Sequence, residues 1–321
     1  MEFRTPIKIE PFDFRIGHST PGLLIGSCFT EHIGTKLQRY KMPVEVNPFG
    51  IVFNPASVAE TIRRIGRGTP YTADDLLRSG ERWVSLDHHG SLCSTDRDET
   101  LRTIGRAVTQ GHEALLAARY AVLTFGTAWV YRHRETGRIA ANCHKLPAGD
   151  FRRERLSADD IVRILRPVIE QELADKHVIL TVSPIRHLSD GHADNALSKA
   201  TLIVAVHRLL EVCPRCRYFP AYEIMYDDLR DYRFYDRDMV HPSQTAIDYI
   251  WEAFCRTAID REAVRLFGRI DALKNAAAHR PLSPRSEEHL RFREKMRQEA
   301  RLLQATYPNL DFSEEINFFH P

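Results

Sequence analysis

Gly26-Ser27-Cys28 puts a hydroxyl and a thiol side by side at the end of a short apolar run, Leu23-Leu24-Ile25. Directly afterwards Phe29, Ile33 and Leu37 recur four apart, the spacing of one helix face. Strand, sharp turn and helix in that order place both nucleophile types where free backbone N–H groups and the helix dipole favour negative charge. Such a position is expected to lower a thiol pKa and to offer an N–H to an oxyanion. The same residues also fit an N-cap serine beside a buried cysteine. A nucleophile needs a base, and of fifteen histidines only His241 follows an aspartate by three residues, in Asp238-Met239-Val240-His241-Pro242. On the turn before a helix, that spacing lets the carboxylate hold Nδ1 and leaves Nε2 to face a nucleophile. The plainer reading is that His241 and Pro242 begin a helix, with Pro at its first position.

The elements that must position these groups can be read from periodicity. Apolar runs at Tyr120 to Phe125, ending at Gly126, and at His177 to Val182 read as strands, with helical segments near Ala158 to Ala174 and Ala196 to Val212. A fourth strand, Arg217 to Pro220, leads into a polar loop, and a helix over Pro242 to Phe254 closes the set. Strands separated by helices imply a mainly parallel sheet covered on both faces, with the site beyond the carboxyl ends of the strands. That rule gathers Gly26 to Phe29, Gly126 to Trp129, Ser183 to His187 and Ala221 to Glu223. Arg186, His187, Tyr222 and Glu223 then become substrate-binding candidates, as do Asn142 and His144. An Arg–Glu pair clamping loops would explain the strand-end residues nearly as well. Trp83 to Leu92 and Trp129 to Ala141 read as inserted hairpins, with turns at Asp87-His88-His89-Gly90 and Glu135-Thr136-Gly137. From Arg261 the chain is charged and helical, broken at Pro281 and Pro284 before Ser286 to Ala305. This divides a domain at 1–257 from an extension at 258–321, which reads as a packing or homo-oligomer element.

Several classes are disfavoured. Of 321 residues, 45 are basic and 43 acidic, so a net charge of +2 gives no reason to expect nucleic acid or an anionic membrane as partner. No run approaches the roughly 18 apolar residues of a membrane span, and Met1 to Pro6 holds no apolar signal core, so a cytoplasmic location is expected. Six dispersed cysteines suggest reduced thiols. Cys213-Pro214-Arg215-Cys216 has no second pair at zinc spacing and follows a helix, so it reads as a loop. His187, Asp190, His192 and Asp194 lack the histidine pair of a metalloprotease helix, and neither a P-loop nor the G-x-S-x-G elbow is present. No metal or organic cofactor is expected.

Ile25-Gly26-Ser27-Cys28-Phe29-Thr30-Glu31 resembles the signature of the GSCFA-domain family, a bacterial branch of the SGNH (GDSL-type) hydrolases. The similarity continues through Asn47 to Gly50, Thr124 to Ala128, Asn142 to Lys145, Thr181 to His187, Tyr218 to Glu223, Leu229 to Tyr235 and Asp238 to Ser243. It implies a three-layer α/β/α sandwich with a mainly parallel sheet, hairpin insertions and a helical C-terminal extension. The activity it implies is acyl-ester hydrolysis or acyl transfer through a covalent acyl-enzyme, on a small-molecule or saccharide ester. Aligning the first-block glycine of the superfamily on Gly26 puts Cys28 at the nucleophile position, with Ser27 the alternative if the turn shifts by one residue. The second-block glycine, an oxyanion donor, corresponds to Gly50. The third block resembles Gly126-Thr127-Ala128, with alanine where asparagine is expected. The missing amide must then come from Thr127, Asn47, Asn54 or Asn142, or be absent. Ala128 leaves room for a non-catalytic ligand-binding protein on the same fold, whereas the intact Asp238/His241 spacing opposes it.

Overall fold

Leu23, Ile25, Ala121, Leu123, Val178 and Leu180 alternate along their strands with Leu24, Tyr120, Val122 and Ile179, and the two sets bury into separate cores. That alternation builds one sheet apolar on both faces. The computed structural model describes residues 4–281, 283 and 286–320; Met1, Glu2, Phe3 and Pro284 lie outside them. In chain order the first half comprises β1 (Gly22–Gly26), α1 (Cys28–Arg39), β2 (Val44–Val46), α2 (Pro55–Arg67), β3 (Leu77–Ser79), β4 (Arg82–Val84), α3 (Arg97–Ala117) and β5 (Tyr120–Phe125). There follow β6 (Trp129–His133), β7 (Ile139–Ala140), β8 (Phe151–Arg155), α4 (Ala158–Gln171), β9 (His177–Val182), α5 (His192–Val212), β10 (Cys216–Tyr218) and α6 (Ala221–Glu223). The last four helices are α7 (Gln244–Ala258), α8 (Arg261–Ala278), α9 (Glu287–Thr306) and α10 (Ser313–Phe318).

The central sheet is parallel throughout, in the order β10-β9-β5-β1-β2. Counted along the chain, the core strands take the doubly wound order 2-1-3-4-5, whose direction reverses between β1 and β5. Helices α2 to α5 cover one face; α1 and α7 cover the other. The fold is thus α/β with a parallel sheet between helical layers, as the spacing of the apolar runs predicts. Helices α8 to α10 do not stand apart: Phe267, Leu303 and Phe312 share one core with Ile33 and Trp251. Among the described residues no helix is long and apolar enough to cross a membrane.

Four sequence readings need correction. The first hairpin is β3 with β4, turning at Gly80 in the left-handed region (φ 59), so Asp87-His88-His89 lies in the loop after it. The second hairpin, expected to end at Ala141, is extended by β8 into a three-stranded antiparallel sheet. The polar loop after β10 is instead α6 followed by a π-helical turn, Ile224–Leu229. Pro242 is not the first helical residue; it bridges to Tyr235, and Ser243 caps α7 by accepting from Ala246 N–H.

The loop after β4 carries a buried imidazole. His88 is fully buried between Phe49 and Tyr71, with ring centroids 4.3 and 4.7 Å away, and its Nδ1 meets Ser85 Oγ at 2.8 Å. Burial drives its pKa down from 6.5 to about 3, so the ring is neutral in the fold. The unfolded chain therefore takes up this proton first, and stability is lost as pH falls from about 6.5 towards 3. Urea unfolding should show the wild type losing about 2 kcal/mol more than His88→Phe between pH 7 and pH 5. Equal losses would mean that His88 is not held neutral.

Candidate functional site

The turn after β1 exists because residue 26 has no side chain. A Cβ on Gly26, at φ +154, would stand 2.3 Å from the carbonyl oxygen of Thr124 on β5. That approach lets Ser27 N–H donate to the same oxygen at 3.3 Å and turns the chain into α1 at the boundary of β1 and β5. Ser27 is the N-cap, 1% exposed, and its Oγ neither caps the helix nor finds any partner. Cys28, the first helical residue, is only partly buried and is the accessible nucleophile of the two. Its thiol is not activated as the helix terminus suggested. Desolvation, and then the charge of Glu31 within the first turn, push its pKa up, outweighing its own backbone N–H.

Asp238 and His241 form the pair that the spacing predicts. His241 Nδ1 lies 2.6 Å from Asp238 Oδ2, while Asp238 Oδ1 accepts from the N–H groups of Val240 (2.8 Å) and His241 (3.0 Å). These bonds, the backbone one from His241 foremost, hold the carboxyl at about 2. Met239, at φ 57, makes the tight turn possible, and Asp236 N–H donates to His241 O at 2.8 Å. Among the described residues His241 Nε2 makes no hydrogen bond. Burial first, then the charge of His241, depresses the pKa of His32, which lies one helical turn beyond Cys28 on the same face of α1. The charge of His241 also reaches His187 beyond β9, and Arg186 N–H donates to Val240 O at 3.2 Å.

Sequence reasoning missed Lys199, which is 1% exposed and sits on α5. Its Nζ donates to Gly126 O at 2.6 Å and to Ser183 O at 2.7 Å, tying together the segments that leave β5 and β9. Burial draws its pKa down to about 7. A signal was present: Asn195, Ser198 and Lys199 occupy the same buried stripe as Leu202, Val206 and Leu209, where a packing helix would carry apolar residues. All three work: Asn195 Oδ1 accepts from His187 N–H (2.9 Å), and Ser198 Oγ accepts from Ala128 N–H (2.8 Å). Burial, then Lys199 and His241, bring His187 to about 4, so its ring is neutral; Nε2 is buried without a partner, 3.1 Å from where a Gly126 Cβ would stand.

The oxyanion candidates separate clearly. Gly50 N–H closes a turn onto Asn47 O at 2.7 Å and is not free. Thr127 Oγ1 is engaged by Ser198 Oγ and by Trp129 N–H, and Asn54 caps α2. Asn142 accepts from His144 N–H, and His144 Nε2 bonds Ser85 O at 2.7 Å, which places both with the β3–β4 insertion. Asn47 remains. Its Oδ1 accepts from Gly26 N–H at 2.8 Å, which fixes the amide, and its buried Nδ2 has no partner. The alternative of an Arg–Glu clamp is not seen among the described residues: both Glu223 oxygens accept from Tyr218 O–H at 2.8 Å, and Arg186 lies against Tyr235. Tyr222 stacks on Tyr226 at 4.7 Å. Asp190 pairs with Arg153 at 2.6 Å, and among the described residues no three His, Cys, Asp or Glu side chains gather as metal ligands. Cys213 and Cys216 are buried free thiols in the turn from α5 to β10.

The GSCFA family model matches residues 22–254, from β1 into α7. The chain belongs to the GSCFA family. A second model, for the GSCFA domain protein C-terminal domain, matches residues 270–320. Comparison with curated proteins and with solved structures gave no match. In this GSCFA protein the signature residues Gly26 to Phe29 are thus those of the turn at the β1/β5 boundary, and the Asp238/His241 pair lies within the same match. Lys199→Met would leave two buried carbonyls unpaired beside that turn, and urea unfolding at pH 7 should show a loss of about 2–5 kcal/mol. A loss below about 0.5 kcal/mol, the range of ordinary surface changes, would mean that the lysine does not tie β5 to β9.

Proposed function

We propose that this site is that of an SGNH-type acyl-ester hydrolase or acyltransferase working through a thioester on Cys28. The observation that carries the reading is the 2.6 Å bond from His241 Nδ1 to Asp238, which leaves Nε2 available to a nucleophile, and the charge of His241 reaches His32, one helical turn beyond Cys28 on α1. Because the thiol is protonated at rest, attack and proton transfer go together. As Sγ bonds to the ester carbonyl, its proton passes to His241 Nε2, and Asp238 stabilises the imidazolium. The oxyanion is held by Cys28 N–H, one of the donors that the first turn of a helix cannot satisfy, and by Asn47 Nδ2. Collapse expels the alcohol, which takes the proton from His241. Water or an acceptor hydroxyl, such as that of a saccharide, then attacks the thioester by the same steps in reverse.

Asn47 supplies the third-block amide from another loop, which answers the alanine at 128. Hydrolysis of p-nitrophenyl acetate and butyrate near pH 7.5 tests the assignment. Cys28→Ala and His241→Ala should lose about 10³-fold or more in kcat, and Asp238→Asn about 10²–10⁴-fold. Asn47→Ala should lose about 10²–10³-fold, while Ser27→Ala keeps most of the rate. Loss with Ser27→Ala and not with Cys28→Ala would transfer the role to serine. Absence of turnover with any ester or thioester, with or without a saccharide acceptor, would favour the ligand-binding reading.

A further inference from the structure

Beside the Asp238/His241 loop lies a cavity of about 240 Å³ that none of the chemistry above uses. Arg186, Arg230, Asp231 and the tyrosines 226, 232 and 235 line it. The guanidinium of Arg186 lies 3.9 Å from the centroid of the Tyr235 ring, 5.5 Å from that of Tyr232 and 5.9 Å from that of Tyr226. Among the described residues its buried Nε has no hydrogen-bond partner, while the Tyr235 hydroxyl is a hydrogen-bond partner of the guanidinium. Aromatic rings shield the face of a guanidinium from water, and one phenol oxygen cannot satisfy an edge on which five N–H donors lie in one plane. Among the described residues neither Arg186 nor Arg230 makes an ion pair. The one carboxylate on the lining, Asp231, is engaged elsewhere, accepting from Arg233 N–H at 2.9 Å with Arg233 Nε 3.5 Å away.

The backbone around this cavity is unusual in two ways. Tyr226 sits in the π-helical turn Ile224–Leu229, and Arg230, which ends it, is held in the left-handed region at φ 42, where a non-glycine residue is strained. The cavity also adjoins the proposed base. Arg186 N–H donates to Val240 O, and Tyr235 is bridged to Pro242, the residues on either side of His241.

We propose that Arg186 and Arg230, framed by the three tyrosines, form an anion-binding subsite that holds a phosphate or carboxylate group of the ligand beside His241. Two cations without an ion-pair partner in so small a space select a compact anionic group over a neutral sugar or an acyl chain. That this group belongs to a substrate rests on the acyl-enzyme reading; that it binds does not.

Calorimetry on the full chain, with inorganic phosphate and with succinate as separate probes, tests the subsite and tells the two anion types apart. At least one probe should bind in the millimolar range, more weakly as NaCl is raised. Affinity should fall about tenfold in Arg230→Gln, whose loop position spares the core, and further in Arg186→Gln/Arg230→Gln. Thermal unfolding of each variant verifies that it is folded. No binding of either probe to the wild type, or equal affinity in the wild type and a folded double variant, would overturn the proposal. Cys28→Ala should bind the probes like the wild type. Binding without any ester turnover therefore leaves the subsite standing and removes the acyl-enzyme reading, whereas turnover of p-nitrophenyl acetate without probe binding does the reverse.

Discussion

The carbonyl oxygen of Thr124 occupies the place where a side chain on residue 26 would begin. Because β1 and β5 close to that distance, the chain turns into α1 at the point where the order of the sheet reverses, the place at which doubly wound sheets open a crevice. The backbone of Gly26 is fully committed there. Its N–H is taken by Asn47 Oδ1 and its carbonyl by Val52 N–H, so the loop after β2 wraps the end of β1 and brings an amide donor with it. Any β-carbon at residue 26 would displace Cys28, the helix terminus and Asn47 together.

Around this turn burial works against the charged form of most ionisable groups. His187 and His32 are depressed by burial, Lys199 is drawn down to about 7, and the Cys28 thiol is pushed up. Asp238 is the exception, half exposed and well supplied with N–H donors. In the proposed mechanism a proton passing from Cys28 to His241 would meet the Asp238 charge directly behind the imidazole.

Much of this was legible in the sequence, and the missed parts share a cause. Local spacing fixes local geometry, so Leu23 to Cys28 read correctly as strand and turn, and Asp238 to His241 as a bonded pair. The choice among Asn47, Asn54, Asn142 and Thr127 could not be made, because it depends on which amide is spent on a distant backbone group. Gly50 misled for the same reason: its N–H is consumed within its own turn. The expected drop in the Cys28 pKa considered the helix dipole without the desolvation that packing α1 against the sheet imposes. Lys199 was hidden because a lysine normally marks a solvated face, and only three-dimensional packing shows it reaching two carbonyls.

The central claim is that Cys28 carries the acyl group, and intact-mass spectrometry after incubation with short-chain p-nitrophenyl esters and acyl-thioesters tests it most directly. The account predicts an adduct of one acyl mass, mapping to the peptide that contains Cys28, released by hydroxylamine and absent in Cys28→Ala. An adduct that persists in Cys28→Ala and maps to Ser27, or ester turnover with no covalent adduct under any quench, would contradict it.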